Sequence, residues 1–297
     1  MGNITNQKYE TKTISNSPEL KVQHQCANGS PKGSIIFVHG ICHGAWCFEN
    51  FMDFFSENGY ECFALNLRGH GDNPRKDLKG AKLSDYRDDV KTCIDYCIKY
   101  LNEREIYEKP FLLGHSMGGA VVQKYIGEYS DTIKGAILFA SATAPKMCFL
   151  ETLITTFFNY HLFFASLVAY GCKKKCIIDN SAFSTGKDKN GKRIQRVKNT
   201  TCFQSLHKEP LRVIFKDLHS KYTNSYSVNI PILVTRSYAD LYFPEKSLKK
   251  TAKIYRCSEE DTKRHLEILP DLCHDMMLDE GWKESAEVVL KFMENNR

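Results

Sequence analysis

PFLLGHSMGGAVVQKYI, Pro110 to Ile126, is the stretch from which the rest of the chain is read. Phe111, Leu112 and Leu113 form a short apolar run after a proline, the pattern of a strand buried on both faces. Gly114-His115-Ser116-Met117-Gly118 then matches G-x-S-x-G. Its glycines admit the tight, strained turn that lifts a serine hydroxyl out of a sheet. Ala120, Val121, Lys124 and Tyr125 continue at helical spacing, so Ser116 sits between a predicted strand and a predicted helix. That context makes it a candidate nucleophile.

Length and composition bound the answer. A chain of 297 residues with 42% hydrophobic content can bury one sizeable α/β core plus an insertion. The formal charge of +6 is modest for that length, and with no DNA-binding motif or basic arm it excludes nucleic acid as a predicted partner. The N-terminus MGNITNQKYETKTISN is polar and lacks the apolar segment of a secretory leader. Twelve cysteines without such a leader read as reduced thiols in the cytosol. The spacings Cys93 to Cys97 and Cys172 to Cys176 have no histidine pair behind them at zinc-finger spacing, so no metal is predicted. Gly2 lacks the sixth-position Ser or Thr of an acylation signal, since Asn6 stands there.

Two polar-alternating segments, Lys8 to Ile14 and Glu19 to Gln25, predict an antiparallel sheet edge. Gly33 to Val38 is a buried strand that runs into His39-Gly40-Ile41-Cys42-His43-Gly44-Ala45-Trp46. This loop resembles that of plant methyl esterases and hydroxynitrile lyases, and with GHSMGG it makes the chain resemble the α/β-hydrolase superfamily. The resemblance implies an α/β fold with a mostly parallel central sheet, flanking helices and an inserted helical cap. It also implies an oxyanion hole made by the backbone N–H groups of Ile41 and Met117. His39 reads as a buttress of the loop and His43 as loop packing. A helix over Phe48 to Glu57, a strand over Tyr60 to Asn66, a Gly-rich structural turn at Arg68 to Asp72 and an amphipathic helix from Leu83 to Leu101 follow.

After the strand Ile133 to Ala140, the alternation breaks from about Lys146 to Asn229. The expected division is therefore a hydrolase core at 1–145 and 230–297 with an inserted cap or lid at 146–229. Phe149 to Gly171 is aromatic-rich and long enough for a membrane span, but Glu151, Asn159 and His161 interrupt it. A cap roofing an apolar acyl pocket is the simpler account, with Phe157, Phe158, Phe163 and Phe164 as substrate-binding residues. The basic run Lys187 to Lys198 reads as an exposed loop, with peripheral contact to anionic lipid as an alternative.

Pro231 to Arg236 returns to a buried strand, and Asp240 follows where the family supplies its acid. Asp217, inside the presumed cap, stays as an alternative acid. Leu266 to Leu269 is the next strand, and His274 stands at the position of the family histidine, before a last amphipathic helix through Trp282 and Met293. The order Ser116, Asp240, His274 is that of α/β-hydrolases. The resemblance thus implies a serine hydrolase of apolar or lipid-like carboxylic esters, working through an acyl-enzyme with no cofactor or metal. Its predicted partner is a small-molecule ester or lipid, and no protein partner is inferred. Two alternatives stand beside it: a hydroxynitrile lyase, and a ligand receptor on a hydrolase fold. Against the lyase, Gly40 replaces a threonine, and Asp275-Met276-Met277 lacks the lysine that follows the histidine in those enzymes.

Overall fold

Strand alternation sorts the core into two layers. The computed structural model describes residues 9–147, 184–187, 192–210, 212–223, 228–243 and 245–297. Its strands are β1 (Glu10–Asn16), β2 (Glu19–Gln25), β3 (Gly33–Val38), β4 (Tyr60–Leu65), β5 (Phe111–His115), β6 (Gly135–Phe139), β7 (Thr185–Lys187), β8 (Arg193–Gln195), β9 (Ile232–Ser237) and β10 (Arg264–Leu269). Along β3, Ile36 and Val38 enter one apolar cluster while Ile35 and Phe37 enter the other. Along β5, Leu112 parts from Phe111 and Leu113 in the same way. A sheet buried on both faces needs apolar residues at every position, which is why these strands read as unbroken apolar runs.

Eight strands form one sheet in the order β1-β2-β4-β3-β5-β6-β9-β10. The two strands of the N-terminal hairpin make the antiparallel pairs β1–β2 and β2–β4, and from β4 to β10 all neighbours are parallel. The helices are α1 (Glu49–Glu57), α2 (Leu83–Asn102), α3 (Met117–Tyr129), α4 (Glu245–Tyr255) and α5 (Trp282–Asn295). Val90 and Ile94 of α2, Val121 and Tyr125 of α3, and Leu248 and Tyr255 of α4 cover one face. Phe51 and Phe55 of α1 with Ala286 and Val289 of α5 cover the other. This is the α/β-hydrolase arrangement that the strand-turn-helix stretch implied. Residues that follow β3, β5, β9 and β10 all emerge at the carboxyl edge of the parallel strands, where open α/β sheets gather their ligand sites.

Cys93 and Cys97 point from α2 into the core, so their spacing reflects packing. The nine described cysteines are free thiols. Between β6 and β9, Arg193 to Gln195 of the run Lys187 to Lys198, expected as an exposed loop, pair with Thr185 to Lys187 as the antiparallel ribbon β7–β8. Arg196 reaches back to Asp279, with Nε 3.1 Å from Oδ2 and Nη2 3.0 Å from Oδ1, and Lys198 lies 2.6 Å from Glu280. A bidentate carboxylate partner holds a guanidinium more firmly than a hydrated surface does. Phe157, Phe158, Phe163, Phe164 and the whole of Phe149 to Gly171 lie outside the described residues. Among the described residues no helix is long and apolar enough to cross a membrane.

Packing is close where α3 crosses β3. A Cβ on Gly118 would stand 2.3 Å from the Val38 carbonyl oxygen and 2.5 Å from that of His39. Gly118→Ala should therefore push α3 off the sheet and cost about 1–3 kcal/mol of stability, measured by urea unfolding. An unchanged midpoint would show that the helix yields without strain.

Candidate active site

Ser116 joins β5 to α3 and carries φ +53° and ψ −116°, backbone values that a residue with a Cβ adopts only under strain. Three backbone hydrogen bonds hold it there: Ser116 N–H donates to the Phe139 carbonyl at 3.1 Å, and the Ser116 carbonyl accepts from Gly119 and Ala142 at 3.0 Å each. A Cβ on Gly114 would lie 2.5 Å from the Gly118 carbonyl, so that glycine is needed for the strand to meet the helix. The next N–H, of Met117, opens α3, where the partial positive charge of a helix N-terminus collects.

Ser116 Oγ lies 3.0 Å from His274 Nε2, and His274 Nδ1 lies 3.1 Å from Asp240 Oδ1. Asp240 is held from its own loop: its Oδ1 accepts from the N–H of Tyr242 at 2.7 Å and of Phe243 at 3.4 Å, while Arg236 Nη2 donates to its carbonyl at 3.0 Å. Burial pushes the Asp240 carboxyl up, but His274, Arg236 and the Tyr242 N–H outweigh it and hold the group below the ordinary value of 3.8. The imidazole of His274 is fully buried between Tyr242, at 4.6 Å between centroids, and His115, at 4.9 Å. The three residues that the sequence nominated, from loops after β5, β9 and β10, are thus brought together. Asp217 is elsewhere: its Oδ2 accepts from the Leu83 N–H at the start of α2.

The loop after β3 is organised by its histidines. Leu67 N–H donates to His39 Nε2 at 3.2 Å, which leaves the proton on Nδ1 to donate to the Gly40 carbonyl at 2.8 Å. Burial lowers the His39 pKa well below 6.5, in keeping with that neutral tautomer. The Gly40 carbonyl also accepts from the His43 N–H at 3.3 Å. Since the peptide is planar and trans, anchoring this carbonyl aims the Ile41 N–H the opposite way. Gly40 itself lies against the nucleophile turn, where a Cβ would stand 3.0 Å from that of Ser116. His43 Nδ1 lies 2.6 Å from the Ile41 carbonyl oxygen and its Nε2 lies 2.9 Å from Asp275 Oδ2. Both histidines therefore shape the loop, as the sequence suggested.

Asp275, His115 and Glu209 were not picked out by sequence reasoning. Each is a polar residue whose partner is distant in the chain, and only the hint of a charged residue amid apolar neighbours was available. Asp275 is fully buried; desolvation raises its pKa, yet His43, His115 and His274 bring it below 3.8. His115 donates from Nε2 to the His274 carbonyl at 3.1 Å. Two clusters of metal-capable donors occur among the described residues. His115, His274 and Asp275 belong to the hydrogen bonds just described. His24, Cys26 and Glu61 lie at the opposite end of the sheet, where His24 Nε2 and Glu61 Oε2 are 2.7 Å apart.

Comparison with known proteins assigns the class. The family model described as serine aminopeptidase, S33, matches residues 29–281, and the chain belongs to that family. Methyl jasmonate esterase 1 of Vitis vinifera is 31% identical over 110 residues, 37% of this chain and 39% of that protein. Putative esterase/lipase 2 of Mycoplasma pneumoniae is 30% identical over 127 residues, 41% of this chain and 44% of its own length. The chain thus spans less than half the length of these curated relatives. A soluble variant of the Saccharomyces cerevisiae monoglyceride lipase, crystallised with a substrate analogue, superposes with a TM-score of 0.68 at 15% identity, covering 97% of this chain and 94% of that one. The bromoperoxidase of Bacillus anthracis gives 0.66 at 18% identity, covering 96% and 99%. These two likenesses establish the fold.

Burial lowers the pKa of His115 to about 3, with the neighbouring His274 adding to the effect. Unfolding returns it to its ordinary 6.5, so the unfolded chain binds the extra proton first and stability must fall as pH drops from about 6.5 toward 3. The slope from this one group is at most about 1.4 kcal/mol per pH unit. His115→Gln should flatten the acid limb of a urea-derived stability profile; an unchanged slope would mean that His115 does not titrate with unfolding.

Proposed function

We propose that this chain is a serine hydrolase that cleaves carboxylic esters through an acyl-enzyme. The observation that carries the proposal is the Ser116 Oγ to His274 Nε2 distance of 3.0 Å, with Asp240 Oδ1 3.1 Å behind the ring, on a strained strand-to-helix turn. Ser116 Oγ attacks the ester carbonyl carbon as its proton passes to His274 Nε2. Asp240, ionised, orients the ring and stabilises the imidazolium. The N–H groups of Ile41 and Met117 donate hydrogen bonds to the developing oxyanion. Collapse breaks the bond to the alkoxy oxygen, which takes the proton from His274 and leaves as alcohol. Water then attacks the acyl-enzyme by the same route and releases the acid.

An apolar acyl or aryl ester suits the site, because Tyr242 and Phe243 wall the histidine with aromatic rings. Two similar proteins, a methyl jasmonate esterase and a monoglyceride lipase, are both named for ester chemistry. A cap over residues 146–229, roofed by Phe157, Phe158, Phe163 and Phe164, completes the proposal; the exposed Lys192 and Arg193 offer it a basic rim for an anionic surface. The lyase reading is disfavoured by charge. Next to His274 stands the buried carboxylate of Asp275, where a departing cyanide would need a cation.

Ser116→Ala should abolish labelling by a fluorophosphonate probe and turnover of p-nitrophenyl esters. Asp240→Asn should lower kcat about 10⁴-fold, by loss of the correct imidazole tautomer. Esters of graded chain length should favour medium or long acyl groups, and preference for acetate throughout would refute the lipid-like assignment. Faster cleavage of aminoacyl p-nitroanilides than of any ester would replace the esterase with a peptidase. Failure of the wild-type protein both to label and to turn over substrate would defeat the enzyme reading itself.

A further inference from the structure

Two side chains of the described residues between β6 and β9, Glu209 and Arg196, reach the loops that carry Ile41 and His274. Glu209 is 2% exposed, and its carboxylate is surrounded by groups of the core. Its Oε2 accepts from the Cys42 N–H at 3.2 Å and faces His70 Nε2 at 2.8 Å, and its Oε1 accepts from the Tyr86 hydroxyl at 2.5 Å. Two residues earlier, the His207 N–H donates to the Cys42 carbonyl at 2.8 Å. Both polar groups of the Cys42 backbone are thus held by residues 207–209. Cys42 needs that support: its φ is +64°, a left-handed value in a residue that carries a Cβ. It directly follows Ile41, whose N–H is one of the two proposed oxyanion donors.

The second contact is with the loop of the histidine. Arg196 makes its two hydrogen bonds to Asp279, and Asp279 Oδ2 accepts from the Cys273 N–H at 2.7 Å, one residue before His274. Between the two contacts Val197, Phe203 and Leu206 pack with Cys42 and Cys273 in a small apolar cluster of their own. The same stretch of chain therefore grips the residue after Ile41 and the residue before His274, and an apolar cluster joins the grips.

We infer that residues 196–209 form a clamp that sets the active-site geometry, with Glu209 as the positioning residue for the oxyanion loop and Arg196 as that for the histidine loop. The inference rests on the ester-hydrolase reading of Ser116. Its consequence is that displacement of residues 196–209 releases the oxyanion loop and weakens catalysis. The buried Glu209 carboxylate also explains the Gly-rich turn at Arg68 to Asp72. The turn presents His70 to Glu209 and is itself tied to α2 through Arg68, whose Nη2 lies 2.6 Å from Asp89 Oδ1.

Glu209→Ala, Glu209→Gln and Arg196→Gln are compared with wild type by three measurements: amide hydrogen exchange of the peptide over Ile41 to Ala45, kcat and KM on a p-nitrophenyl ester, and inhibition by a trifluoromethyl ketone. The ketone binds as a tetrahedral adduct and so reports the oxyanion donors. Glu209→Ala should speed exchange in that peptide, lower kcat about 10–100-fold with KM little changed, and weaken the ketone in proportion to kcat. Glu209→Gln, which keeps one acceptor oxygen and the side-chain volume, should recover part of each loss. If Glu209→Ala fails to fold, this variant supplies the test. Arg196→Gln should speed exchange over Leu272 to Met276 and leave the Ile41 to Ala45 peptide near wild type. Unchanged exchange at Ile41 to Ala45 in the folded Glu209 variants overturns the clamp, whatever the substrate proves to be. Faster exchange with ketone affinity unchanged overturns its catalytic role. Absence of Ser116 labelling in wild type strikes the ester reading instead and leaves the exchange result to judge the clamp.

Discussion

Ser116 can hold a left-handed backbone only because β5, α3 and β3 meet almost without side chains between them. Gly114 and Gly118 occupy the points of contact, and an added Cβ at either would enter a carbonyl oxygen of the facing segment. The strain, of the order of 1–3 kcal/mol for a residue in such a region, is borne by apolar strands on both sides that are fully buried. The turn in turn sets the start of α3, hence the direction of the Met117 N–H and the distance to His274. A looser contact would relax the serine into ordinary helix geometry and take its hydroxyl away from the imidazole.

Around that turn the polar groups are paired in a definite order. His39 and His43 fix the peptide groups on either side of Ile41, Asp275 joins His43 to the loop that bears His274, and His115 closes the space behind. Each of these groups is buried, and a buried polar atom without a partner costs more than the net gain of a typical hydrogen bond. The loops therefore stabilise one another: movement of either one exposes the unpaired groups of the other. The contacts of Glu209 and Arg196 extend the same reciprocity to the segment between β6 and β9.

The charges at the site follow from burial and from partners more than from residue type. His115 and His39 stay neutral because no carboxylate offsets their desolvation fully, whereas Asp240 and Asp275 stay ionised because histidines face them. Two histidines that support the frame and one that lies within reach of the serine hydroxyl thus occupy neighbouring positions with different tasks.

The apolar runs at β3, β5, β6 and β9, the helical spacing of α2 and α5, and the GHSMGG turn were all legible in the sequence, since each is encoded in residues close together along the chain. The order Ser116, Asp240, His274 was legible as well, because strand ends mark the loops that carry them. The antiparallel ribbon at the start of the basic run was not, nor were the roles of Asp275, His115, Arg196 and Glu209. Their roles depend on partners between 83 and 232 positions away, and no local pattern distinguishes a carboxylate destined for a buried histidine from one facing water. The sequence by itself determined the fold class and the three reacting groups proposed here, through local periodicity and glycine placement. Only the tertiary structure decided which buried polar residues hold those groups in register, because desolvation and hydrogen-bond pairing act between segments that meet only in the folded chain.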